Sequence, residues 1–179
     1  MKLFLALVVV LLVTALAAQA QNKYIGVKMC SMCHKTEKQG KQLDIWQKSD
    51  HSNAYKTLTT AKSAEIAKAK GITKPAHEAA ECLDCHAPAY KVDAKLLDKS
   101  FDLKDGVQCE DCHGAGSAFK TIPIMKDKAK AVAAGMRDFK DEAAIKASCV
   151  TCHNEKSPTY KPFKFEEAWG KMKHPVPKG

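Results

Sequence analysis

The chain has 179 residues, 45% of them hydrophobic, and a formal charge of +9 from 29 basic and 20 acidic side chains. That length suits one domain. The basicity points toward nucleic acid, but every basic residue except Arg137 is a lysine and no arginine-rich or aromatic-interleaved stretch occurs, so nucleic acid is not an expected partner.

Residues 1–20 read as a cleaved secretory signal peptide. Lys2 supplies the positive start, Leu3 to Leu16 is apolar apart from Thr14, and Ala18 and Ala20 flank Gln19 in a small-x-small cleavage pattern. The run is short for a bilayer span, which takes about 20 apolar residues; an uncleaved N-terminal anchor is the rival reading. No later segment is apolar enough to cross a membrane. Residues 21–179 are therefore expected outside the cytoplasmic membrane, periplasmic or extracellular, without an integral membrane segment.

Further along, helical signals dominate and no strand-like alternation is convincing. Ser49 or Ser52 caps a predicted helix through Ala54, Leu58, Ala61, Ala64 and Ile66, stopped by Gly71. Ile124 to Ala134 is rich in alanine and lysine and ends at Gly135. Asp141 caps Glu142 to Ser148, and Phe163 to Met172 forms a last helix, ended before Pro175 and Pro177. Loops fall at Lys74–Pro75, Ala87–Pro88, Gly114–Gly116 and Ser157–Pro158.

Between these elements the chain spells Cys-x-x-Cys-His four times, at Cys30/Cys33/His34, Cys82/Cys85/His86, Cys109/Cys112/His113 and Cys149/Cys152/His153, using all 8 cysteines. A zinc site joins two half-sites and has no need of histidine directly after every second cysteine. Thioredoxin-like chemistry uses one reactive pair. A disulfide framework leaves the four histidines without a reason. The signature is that of covalent c-type haem: two thiols form thioethers with the haem vinyl groups and the histidine becomes the proximal iron ligand. The expected cofactors are four haem c, and the spacing of 52, 27 and 40 residues between successive proximal histidines argues against a tandem repeat. With about 40 residues per haem the cofactors must share walls and supply much of the core. The expected fold is thus a compact multihaem cytochrome c, mainly α with much irregular structure, organised by four covalently bound haems over residues 21–179. Haem propionates would offset much of the positive charge, leaving the lysines as a solvated surface with one docking patch for an acidic redox partner.

Seven histidines serve four irons: His34, His86, His113 and His153 are proximal, and only His51, His77 and His174 remain. All four irons cannot have two histidines from this chain. At least one takes methionine, lysine, water, the processed N-terminus, a neighbouring subunit's residue, or nothing.

Several segments resemble the tetrahaem cytochrome c-554 family: the first motif followed by Trp46 and His51 with Ala54 and Leu58; Gly106 to Gly116 around the third motif; and Phe163, Phe165 and Ala168 followed by His174. The resemblance implies a mainly helical protein with haems stacked in close pairs, and a second haem with one open coordination position. It implies that His51 is the distal ligand of the third haem and His174 that of the fourth. Where the family places the first haem's distal histidine, this chain has Ile122. Met125 nearby is either a thioether ligand, which would raise that haem's potential, or a core methionine. His77 has no clear counterpart; it closes the second or first haem, or lies in a surface loop.

The expected function is electron transfer between redox proteins: other cytochromes, a periplasmic oxidoreductase, or a membrane quinol-linked partner. An enzyme reducing nitric oxide, hydroxylamine or nitrite at an open haem is the alternative, and a conducting polymer of many copies is a third. Oligomeric state is left open.

Overall fold

The computed structural model describes residues 21–176; the leader sequence read at residues 1–20 lies outside them. Ten short helices follow one another: α1 (Val27–Ser31), α2 (Gln42–Gln47), α3 (Ala54–Thr57), α4 (Ala61–Ala69), α5 (Ala80–His86), α6 (Cys109–His113), α7 (Ile122–Met125), α8 (Lys128–Ala133), α9 (Glu142–Cys149) and α10 (Phe165–Met172), linked by 3-10 turns and irregular chain. Among the described residues no strand forms; Tyr24 and Leu97 make one isolated parallel bridge. No described helix is long and apolar enough to cross a membrane.

Several boundaries follow from local chemistry. The Asp141 carboxylate accepts from the Ala144 N–H at 2.8 Å and starts α9, as its sequence predicts. The single helix expected from Ser49 or Ser52 to Ile66 is broken instead. A 3-10 turn at Asp50–Asn53 leads into α3, and Thr60 caps a fresh helix by accepting from Ser63 N–H at 3.3 Å. Threonine competes for backbone partners well enough to interrupt a helix and restart it. The stretch from Ile124 to Ala134 divides likewise: Asp127 accepts from Lys130 N–H and separates α7 from α8.

Thirteen apolar side chains are buried among the described residues, and seven of them are alanines; no large side chain is completely buried. A chain this long normally fills its interior with bulky residues, and few of those buried here are bulky. A conventional cluster forms in one place, where Leu58, Ala67, Ala76, Leu83 and Ala87 pack with Tyr55, Ile72, Tyr90 and Leu103. It joins α3, α4 and α5 and backs the second Cys-x-x-Cys-His motif.

Candidate haem sites

Each motif curls into one helical turn. His34 N–H donates to Cys30 C=O at 3.1 Å, and His153 N–H to Cys149 C=O at 3.0 Å; the second and third motifs lie within α5 and α6. Residues three and four apart share a helix face, so two sulfurs and one imidazole point the same way. That is the geometry needed to tether a macrocycle and ligate its centre.

The motifs also meet one another. The Cys30 and Cys109 thiols lie within hydrogen-bond reach. Cys85 neighbours Cys152, its Sγ 4.0 Å from the Cys152 carbonyl, and burial, then Asp111 and the nearby Cys149, push the Cys112 thiol up to about 11. In space the order is first, third, fourth, second, which differs from the order along the chain.

Two pairs of histidines face each other. His51 and His153 have ring centroids 6.0 Å apart, and His113 and His174 5.8 Å apart. Two metal–imidazole bonds of about 2 Å, plus the ring radii, come to about 6 Å, so both spacings fit one metal ion held between two imidazoles. This crosses the assignment implied by the family resemblance: His51 stands opposite the fourth motif's histidine and His174 opposite the third's. Burial lowers the pKa of His51 and His153, and the His153 charge adds to the effect on His51. Burial, then His174 and His34, push His113 down to about 4, and burial lowers His174 too. Each of these shifts favours the neutral imidazole, the form that ligates metal.

The ring pairs are held from outside. Gly106, at φ +77°, passes so close to the His51 turn that a Cβ there would lie 2.6 Å from the His51 carbonyl oxygen. Val107 N–H donates to that carbonyl at 3.1 Å, and the Trp46 indole N–H donates to the Val107 carbonyl at 2.7 Å. Trp46 therefore anchors His51 through the segment that leads into the third motif. Phe163 stacks on His153 with centroids 4.5 Å apart and continues edge-on to Phe165, which stacks on Trp169 in α10. Gln42 Nε2 donates to the Pro175 carbonyl at 3.0 Å and fixes the chain beside His174.

His86 lies 2.8 Å through Nδ1 from the Ala54 carbonyl. A carbonyl can only accept, so Nδ1 carries the proton and Nε2 is left bare, the arrangement that orients an imidazole for metal. His34 Nδ1 is buried without a hydrogen-bond partner. His77 is half-buried, edge-on to Tyr55 with centroids 6.4 Å apart and with its Nε2 3.5 Å from Glu78 Oε1. Ile122 is exposed, and Met125, at the end of α7, is half-buried. Among the described residues no ring pair sets His77 opposite a motif histidine as His51 and His174 are set.

Three features had no forecast in the sequence: the His86–Ala54 contact, the stacking of Phe163 on His153, and the burial of Glu110 between the two cysteines of the third motif. The only signal for Glu110 was a charged residue between two motif cysteines, a mark that Asp84 and Asp111 carry as well.

Thiol pairs in helical turns, facing imidazoles and an interior short of bulky side chains fit covalently held haem, the hallmark of c-type cytochromes. Residues 29–114 match the family described as cytochrome c554 and c-prime, a stretch that takes in the first three motifs and His51 and stops before the fourth. The chain is 31% identical over 110 residues to cytochrome c-554 of Nitrosomonas europaea, covering 59% of this chain and 43% of that relative. The aligned part thus spans less than half of the relative's length. No solved structure matches the chain. The resemblance to the cytochrome c-554 family seen in the motifs holds in both sequence comparisons.

Proposed function

We propose that the chain is an exported four-haem electron-transfer protein, working in the periplasm or outside the cell after removal of residues 1–20. The observation that carries this reading is the pair of facing imidazole couples, at 6.0 and 5.8 Å. A bound haem supplies an iron that takes up and returns one electron, and two imidazoles leave that iron no open position for a substrate. The chain's part is to tether, orient and desolvate. Cys30, Cys33, Cys82, Cys85, Cys109, Cys112, Cys149 and Cys152 are the attachment points. His34, His86, His113 and His153 are the proximal ligands, His51 the distal ligand paired with His153, and His174 the distal ligand paired with His113. Trp46, Phe163 and Gln42 brace these rings so that little moves when charge does. The motif order first, third, fourth, second keeps neighbouring centres adjacent, which suits a relay. Redox proteins are the proposed partners, met in small, transient contacts through surface lysines.

Mass spectrometry and haem quantitation of the processed protein test the reading, with four haems expected; fewer would sink it. His51→Ala and His174→Ala should each convert one low-spin ferric iron to high spin by electron paramagnetic resonance. An unchanged low-spin count in either variant removes that histidine as a ligand.

A second reading rests on the ligand count. With His51 and His174 committed, His77 is the one histidine left for the irons beside His34 and His86. At least one of these takes Met125, another non-histidine ligand, or nothing. An open iron beside His34 or His86 would be the seat for reduction of nitric oxide, hydroxylamine or nitrite, with the electrons supplied by an external redox partner. Nitric oxide titration of the reduced protein discriminates: binding with turnover under excess reductant favours the enzyme, and binding to none of the irons favours the carrier.

A further inference from the structure

Glu110 lies between Cys109 and Cys112, where side chains of attachment motifs usually need only fit. It is 2% exposed. Its carboxylate receives Ile25 N–H at 2.9 and 3.0 Å on its two oxygens, Gly26 N–H at 2.7 Å and Gly116 N–H at 2.6 Å. Every partner is a donor, so the group is bound as the anion; a carboxylic acid proton would have no acceptor. No lysine, arginine or histidine of the described residues forms an ion pair with it. Gln108, also 2% exposed, adds a second tie beside it: its side-chain oxygen accepts from Val27 N–H at 2.9 Å and its amide donates to the Asp102 carbonyl at 2.8 Å.

These bonds join the start of α1, which carries the first motif, to α6, which carries the third. They explain why Cys30 comes to rest against Cys109 although 79 residues separate them in sequence. The same bonds enclose a negative charge, paired with no cation of the described residues, within electrostatic reach of both cysteines. Charges act strongly where water is excluded. A negative charge favours the ferric over the ferrous centre, because the oxidised iron carries one more positive charge.

We propose that Glu110 is a positioning residue and a fixed charge: it sets the spacing of the first and third haem-attachment segments and lowers the reduction potentials of the two haems they carry, relative to the haems on the second and fourth. This rests on the four-haem reading above. It makes the first and third centres the low-potential half of the relay and gives electron flow a direction toward the fourth and second.

Potentiometric titration of the haem-loaded protein, resolved into four one-electron components, tests it. Glu110→Gln keeps the size and removes the charge. Two of the four midpoints should rise, each by about tenfold in the oxidised-to-reduced ratio, about 59 mV for a one-electron couple, while the other two stay in place. Glu110→Asp keeps the charge and should return the two midpoints toward the original values. If Glu110→Gln does not accumulate with haem, Gly116→Ala decides: a methyl there would lie 3.0 Å from Glu110 Oε1 and 3.1 Å from Ile25 Cδ1, so it displaces the carboxylate without removing it. A shift confined to one pair of midpoints supports the proposal. Four unchanged midpoints, or four that move equally, overturn it in a protein that holds four haems. A count below four in the unsubstituted protein overturns the haem reading itself.

Discussion

The second and third motifs bury the same position, the residue after the first cysteine, by opposite means. In the second it is Leu83, 6% exposed, packed with Leu58, Ala67, Ala76 and Ala87. In the third it is Glu110, held by four directional bonds from three N–H groups. Apolar packing is non-directional and tolerates small shifts; a carboxylate ringed by N–H donors has one good geometry. The difference teaches that the inward position of the motif is free to choose how its helix is anchored. The α3–α5 region is held by burial of area. The α1–α6 junction is held by placement, as suits a pair of centres whose separation matters. The fourth motif has neither device: Val150 stands exposed at this position, and His153 is steadied instead by Phe163.

Cutting both anchors to alanine should separate them by size and by kind. Glu110→Ala strands three buried N–H groups, each worth about 1–3 kcal/mol when unpaired. The expected loss is about 4 kcal/mol or more in denaturant unfolding, with the first and third haems disturbed together. Leu83→Ala leaves a cavity and should cost about 2–5 kcal/mol. Its spectral effect should fall on the second haem, because Leu83 lies in α5 with His86 and its cluster includes Tyr55, next to the Ala54 carbonyl that His86 uses. If Leu83→Ala disturbs the first and third haems, the two anchors are not independent.

A smaller effect tests the α9 end of the molecule. Asp141→Ala removes the side-chain acceptor for Ala144 N–H, and loss of such a cap costs about 1 kcal/mol. The fourth motif begins at the last residue of this helix. A lowered melting temperature with an unchanged His51–His153 low-spin signal is expected. Loss of that signal would mean that the helix start, not Phe163, orders His153.

What the sequence makes legible follows this division. The motif cysteines and histidines announce themselves because the haem-attachment signature specifies both residue type and spacing. The Asp141 cap and the α10 helix are legible because the signals are local and nothing opposes them. The break at Thr60 was hidden because the apolar spacing of Ala54, Leu58, Ala61, Ala64 and Ile66 runs straight through Thr57, Thr59 and Thr60, and a reading by periodicity gives their hydroxyls no weight. Which distal histidine meets which proximal one was not legible at all. His51 and His153 are 102 residues apart, and their meeting depends on Val107, Trp46 and Phe163, none of which carries a mark of its partner. Glu110 is the same case: a glutamate looks solvated until the backbone of a distant segment is seen to supply its donors.

The smallest effect sharpens the comparison most cheaply. Val150 occupies in the fourth motif the place that Leu83 and Glu110 occupy in theirs, yet it is 39% exposed. If anchoring belongs to burial rather than to the motif, Val150→Ala should change unfolding by no more than about 0.5 kcal/mol and leave all four midpoint potentials unmoved. The same substitution by glutamate would add a charge beside the fourth attachment site in open solvent, where screening is strong. It should shift that haem's potential far less than removal of Glu110 shifts the first and third. Equal shifts from the two sites would mean that water reaches Glu110 as freely as Val150, and the contrast between a charge enclosed by N–H groups and one in solvent would fail.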